Sequence, residues 1–125
     1  MEYLGFSEND FLCIMTDARR MEVYTALFNA GGEMVKETEA LVIEDHMHSS
    51  VMANSRVFFA GSGAEKASTI IKNPNAVFLY GFKAQASGMV SIAFEYFENN
   101  KFENTAYFEP FYLKDFIATK PKKLF

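Results

Sequence analysis

A chain of 125 residues, half of them hydrophobic and 22% charged, is long enough to bury one core and too apolar to be a disordered or low-complexity segment. Its formal net charge of −4, from 16 acidic against 12 basic residues, argues against unaided binding to a polyanion such as RNA or to an anionic membrane. The lone cysteine, Cys13, has no partner for an internal disulfide and fits a reducing compartment, so a cytoplasmic address is expected. The N-terminal MEYLGFSEND lacks the basic region and apolar core of an export signal, and no apolar run approaches the ~20 residues that span a bilayer.

Residues 1–10 read as a polar leader, 11–119 as a single domain and 120–125 as a basic tail. Phe11 to Thr16 and Met21 to Phe28 are two β-forming runs separated by a charged turn, Asp17-Ala18-Arg19-Arg20, which makes them a hairpin. Gly31 and Gly32 permit the next reversal, and a third strand follows over EMVKETEALVI, with Val35, Leu41 and Ile43 expected on one face. Asp45 or Ser49 offers an N-cap for a short helix ending near Asn54.

RVFFAG then reads as a strand closed by glycine, and SGAEKASTIIK as a helix stopped by Asn73-Pro74. AVFLYGF is a buried strand. After it, Ala86, Met89, Val90, Ala93, Phe94 and Phe97 recur at the spacing of one helix face, the clearest amphipathic pattern in the chain. The order β-β-β-α-β-α-β-α implies a five-stranded mixed sheet, antiparallel at first and parallel afterwards, with helices on its faces. Right-handed crossovers leave few topologies for it, among them the ribonuclease-H-like fold. The last stretch, with Tyr107, Phe108, Phe111, Tyr112 and Phe116 around Pro110, reads as an extended strap covering a core edge.

Several groups invite a chemical reading. The turn Gly61-Ser62-Gly63-Ala64 joins a strand to a helix, where backbone N–H groups can receive a phosphate, yet the position that a dinucleotide fingerprint needs as glycine is Lys66. The alternative is a tight connection where a Cβ would clash. His46 and His48, two residues apart, diverge on a helix and so form no zinc pair, and with Asp45, Ser49 and Ser50 they read as a helix cap with solvated side chains. No metal site is expected. In the Asp17–Arg20 turn the guanidinium groups can form paired bonds to phosphates or carboxylates, with Asp17 holding one of them in place; the alternative is a structural or interface salt bridge. The tail lysines Lys120, Lys122 and Lys123 are either RNA-phosphate contacts or a solvated terminus.

The turn and strand carried by Asp17, Arg19, Arg20, Glu22, Val23 and Tyr24, the FFAGSGAEK segment and the terminal AYFEPFYLKDFIATKPKK together resemble the second half of the bacterial TsaB (YeaZ) family over about Phe11 to Lys123. The resemblance implies an actin-like, ribonuclease-H-like half-domain. It also implies a non-catalytic scaffold subunit for threonylcarbamoylation of the adenosine next to the anticodon in tRNA. The expected partners are the catalytic subunit TsaD and the ATPase TsaE, with tRNA reached only indirectly and no membrane involved. ATP or ADP is expected only in the full complex. On this reading Asp17, Arg19, Arg20, Gly61 and Gly63 are ligand or interface contacts, and no catalytic residue is carried over. Family members have a preceding actin-like half, used for self-association and for partner binding, so the chain is expected to be a functionally incomplete fragment. The competing expectation is a hydrolase of the actin-like superfamily, an ATPase or a glycoprotease-like peptidase.

Overall fold

The computed structural model describes residues 5–114. Five strands form one sheet: β1 (Phe11–Asp17), β2 (Glu22–Asn29), β3 (Met34–Val42), β4 (Val57–Ala60) and β5 (Ala76–Leu79). The helices are α1 (Ser49–Met52), α2 (Ala64–Ile70) and α3 (Val90–Glu98), the last preceded by a 3₁₀ turn at Ala86–Met89. The spatial order is β3-β2-β1-β4-β5. Strands β1, β2 and β3 pair antiparallel, while β1 with β4 and β4 with β5 pair parallel. The expected element order and mixed sheet are therefore present.

One face of the sheet carries the core. Cys13 and Met15 of β1, Val23 and Leu27 of β2 and Val57 and Phe59 of β4 are buried against Met52 of α1 and Ala64, Ala67 and Ile71 at α2. Alternation along each strand sends these side chains to the same side. Phe59 stacks on Phe78 of β5, with ring centroids 5.1 Å apart. On the opposite face, Phe58 is buried by the segment preceding β1: the Phe6 ring lies 5.0 Å from it and the Arg56 guanidinium 5.1 Å above it. Arg56 in turn donates to both carboxylate oxygens of the buried Asp10 and to the Gly5 carbonyl.

Four local expectations change. Val35 is exposed, whereas Leu41 is half-buried and Ile43 buried. The β2–β3 pairing shifts register twice, between Thr25 and Leu27 and between Leu27 and Phe28, so that Lys36 stands opposite Leu27 and Met34 opposite Phe28, with Val35 in the irregularity between them. Neither Asp45 nor Ser49 caps α1: His48 holds that position in a left-handed conformation (φ 57°), and the Asp45 carboxylate accepts instead from the Lys72 N–H at 2.8 Å. Helix α3 forms where its periodicity requires, yet none of its residues is buried, so among the described residues helices cover only one face of the sheet. The aromatic strap covers no core edge at Tyr107, Phe108, Phe111 or Tyr112, all of which are exposed. Phe116, Lys120, Lys122 and Lys123 lie outside the described residues.

Candidate functional site

The carboxyl ends of β1 and β4 place two loops side by side, Asp17–Met21 and Gly61–Gly63. In open α/β sheets ligands commonly bind outside the carboxyl ends of the strands, at the point where the strand order reverses. The order reverses between β1 and its parallel neighbour β4, with β2 and β3 on one side and β5 on the other.

The first loop closes the hairpin through hydrogen bonds from the Ala18 N–H to the Glu22 carbonyl and from the Glu22 N–H to the Arg19 carbonyl, each 3.1 Å. Arg19 and Arg20 both have positive φ, 75° and 48°. Such consecutive left-handed residues make the tight reversal, at a cost of about 1–2 kcal/mol per non-glycine residue. Their side chains are exposed, and among the described residues neither guanidinium forms a hydrogen bond or an ion pair.

Asp17 does not hold an arginine side chain. Its Oδ1 accepts from Lys66 Nζ at 2.6 Å and from the Arg19 backbone N–H at 2.9 Å. The ammonium, foremost, and that N–H hold the Asp17 carboxyl below its ordinary value of 3.8. Lys66 reaches across from α2 and also donates to the carbonyls of Arg20, at 2.8 Å, and Glu22, at 2.6 Å. One lysine thus ties the tip of the hairpin to the helix. Sequence reasoning met Lys66 only as a departure from a glycine fingerprint; a lysine one turn into a helix that follows a glycine loop carries no signal of what it will reach.

The second loop is shaped by packing. Gly61 has φ +105°, and a Cβ there would overlap the Met15 carbonyl oxygen. At Gly63 a Cβ would lie 2.7 Å from Val23 Cγ1. The Gly63 N–H donates to the Met15 carbonyl and the Ala64 N–H to the Gly61 carbonyl, both at 3.1 Å, while Ser62 Oγ accepts from the Asp17 N–H at 3.0 Å. Two of the loop's N–H groups are engaged within the chain and both glycines stand where a Cβ would clash, as a tight β–α connection requires.

Shallow cavities flank the two loops. One of about 370 Å³ is lined by Thr16, Tyr24 and Phe111–Lys114, and Lys114 pairs with Glu22 beside it. Another of about 230 Å³ lies between Gly61, Ser62 and Glu65 on one side and Leu79–Lys83 on the other.

The two histidines separate. His46 is exposed beside Glu44 at 3.0 Å, whereas His48 is buried and does not behave as a solvated cap. His48 Nε2 lies 3.5 Å from Cys13 Sγ, which also contacts Thr25 Oγ1 at 3.1 Å. Burial pushes the His48 imidazole down to about 4, helped by Lys36, and pushes the Cys13 thiol up to about 11 against the opposing effects of the Thr25 hydroxyl and Lys36. An activated thiol needs the opposite shift and access to solvent, so this contact is a packed interior pair. Among the described residues no cluster of three or more His, Cys, Asp or Glu side chains is arranged to hold a metal ion, and no helix is long and apolar enough to cross a membrane.

The fold and site define a mixed α/β domain whose polar rim exposes two arginines. No protein-family model matches the sequence, and no curated protein aligns with it significantly.

Proposed function

We propose that the chain is the second half of a TsaB-family protein, a ribonuclease-H-like half-domain that acts in the cytoplasm as a non-catalytic scaffold for threonylcarbamoylation of tRNA. The observation that carries this reading is the strand order β3-β2-β1-β4-β5, with three antiparallel strands feeding two parallel ones. That order is compatible with the ribonuclease-H-like half-domain that the resemblance implies, and the Asp17–Arg20 motif on which the resemblance rests lies at its rim.

The rim supports a contact role. Arg19 and Arg20 are held in costly left-handed conformations, their guanidinium groups unengaged among the described residues, and backbone strain of this kind tends to persist where it serves recognition. A planar guanidinium matches the two oxygens of a carboxylate or a phosphate. On this reading Asp17 and Lys66 set the height of the turn, the arginines meet an acidic surface of the catalytic subunit TsaD, and TsaE with ATP or ADP enters only in the assembly.

The test is calorimetric titration of the purified chain with TsaD, with and without the first half of a TsaB protein supplied separately. Binding is expected to tighten when the first half is present and to weaken about tenfold, or ~1.4 kcal/mol, on Arg19→Ala with Arg20→Ala. ATP turnover by the chain alone that disappears on changing Asp17 or Arg19 overturns the scaffold reading in favour of a hydrolase.

A further inference from the structure

A cavity of about 310 Å³ lies between β3, which contributes Lys36 and Leu41, and the segment from Glu44 to Val51 that leads into α1. Small-molecule pockets begin at about 300 Å³, so the space suits a compact ligand. Its walls are mixed: Leu41 and Met47 are apolar, whereas Lys36, Ser49 and Ser50 bring an ammonium and two hydroxyls. Neither the Asp17–Arg20 turn nor the glycine loop contributes to this lining.

His48 gives the recess a polar floor. The residue is only 9% exposed, and its left-handed backbone, φ 57°, costs about 1–2 kcal/mol for a non-glycine residue. Its ring is held from two sides, stacked on Phe59 with centroids 6.3 Å apart and with Nε2 3.5 Å from Cys13 Sγ. That leaves Nδ1 for the cavity. Nδ1 makes no hydrogen bond among the described residues, and no sealed side-chain nitrogen or oxygen among them lacks a partner, so this atom opens on the cavity that the residue lines. A ring so largely buried, with one nitrogen still to be satisfied, is a place where a ligand atom gains a hydrogen bond.

The charge in the recess comes from Lys36. Burial, first, and then the Lys36 ammonium push the His48 imidazole down to about 4, so the two side chains stand within electrostatic reach of each other. Lys36 pairs with no acidic group among the described residues, while Glu44 of the same lining lies against His46 at 3.0 Å. One ammonium without a counterion, a neutral imidazole and two hydroxyls suit a single negative charge, whereas a dianion would face one cation and the neighbouring Glu44.

We propose that this recess binds a small organic monoacid, its carboxylate directed to Lys36 and His48 and its short hydrocarbon body lying against Leu41 and Met47. Burial pushes the Cys13 thiol up to about 11 and so keeps its proton in place; by donating to Nε2 the thiol fixes the tautomer in which Nδ1–H is the donor a carboxylate needs. The site is separate from the arginine rim and does not depend on the TsaB reading.

NMR of the His48 ring nitrogens in the full chain, during titration with hexanoate, acetate, hexanol and inorganic phosphate, tests the assignment. Hexanoate is expected to shift them in a saturable way, and acetate and hexanol, each lacking one of the two features, to bind about tenfold more weakly. Lys36→Gln, at an exposed position of β3, is expected to weaken hexanoate about tenfold and to leave hexanol unaffected, a split that a structural role for the lysine would not produce. Hexanol binding as tightly as hexanoate overturns the proposal, because the recess is then an apolar dent. Phosphate binding as tightly as hexanoate overturns it in favour of a general anion site. A His48 ring that hexanoate does not move, or hexanoate binding unchanged in Lys36→Gln, also overturns it. The ligand series is read on the unsubstituted chain, so it decides the matter even where the variant fails to fold.

Discussion

Lys66 directs its ammonium donors to three oxygens of the hairpin, Asp17 Oδ1 and the carbonyls of Arg20 and Glu22. Asp17 Oδ1 is taken by Lys66 and the Arg19 N–H, and among the described residues neither arginine side chain pairs with an acidic group. The backbone of the same corner is the expensive part, since Arg19 and Arg20 occupy a region that asparagine and glycine enter more readily. Replacing Arg20 by Asn is therefore expected to raise stability by about 0.5–1 kcal/mol, measured as an increase in the urea midpoint at unchanged slope. The same variant should bind the catalytic partner more weakly. A loss of stability would mean that the guanidinium supports the fold, and the contact role of Arg20 would fall.

At the scale of elements, the junction of β4 with α2 depends on a close approach to β1. Gly61 combines a positive φ with a position where any Cβ meets the Met15 backbone, and backbone cannot move aside as a flexible side chain can. Gly61→Ala is expected to destabilise the protein by at least ~2 kcal/mol, with the urea midpoint falling and the slope retained. A change of a few tenths would show that the junction relaxes freely. The strands and this junction were legible in the residues because β-branched and aromatic runs, glycine pairs and Asn73-Pro74 act locally. Two features were not. The register shifts around the exposed Val35 depend on how β2 and β3 settle against each other, and the left-handed cap at His48 depends on burying the imidazole beside Cys13. In both, a contact distant in sequence outweighs a local pattern.

The whole molecule should lose stability with acid in two steps. His48 binds its proton at about 4 in the fold against 6.5 for the free side chain, so between these values the unfolded chain carries more protons and stability falls as the pH drops from 6.5 towards 4. Lys36, the nearest cationic influence, works in the same direction, while Glu44 and His46 line the same cavity from the solvent side. Asp10 is held at about 2 against 3.8, mainly by Arg56, and its contribution is complete above 3.8 and lost as the pH falls towards 2. Chemical denaturation at a series of pH values should resolve both slopes, with His48→Leu flattening the first and Asp10→Asn the second. An unchanged first slope in His48→Leu would place the titrating group elsewhere.

The sequence by itself determined the order and type of the elements, the buried thiol and the charged hairpin tip, because periodicity, turn residues and composition act over a few neighbours. Only the tertiary structure decided which way each charge and each apolar stripe is used. Asp17 turns to Lys66, 49 residues away, in place of the neighbouring arginine side chains, and α3 keeps its amphipathic pattern although none of its residues is buried among the described residues. A helical stripe records that a face must be buried, whereas the surface that buries it is set by chain reversal and association, which no local spacing encodes.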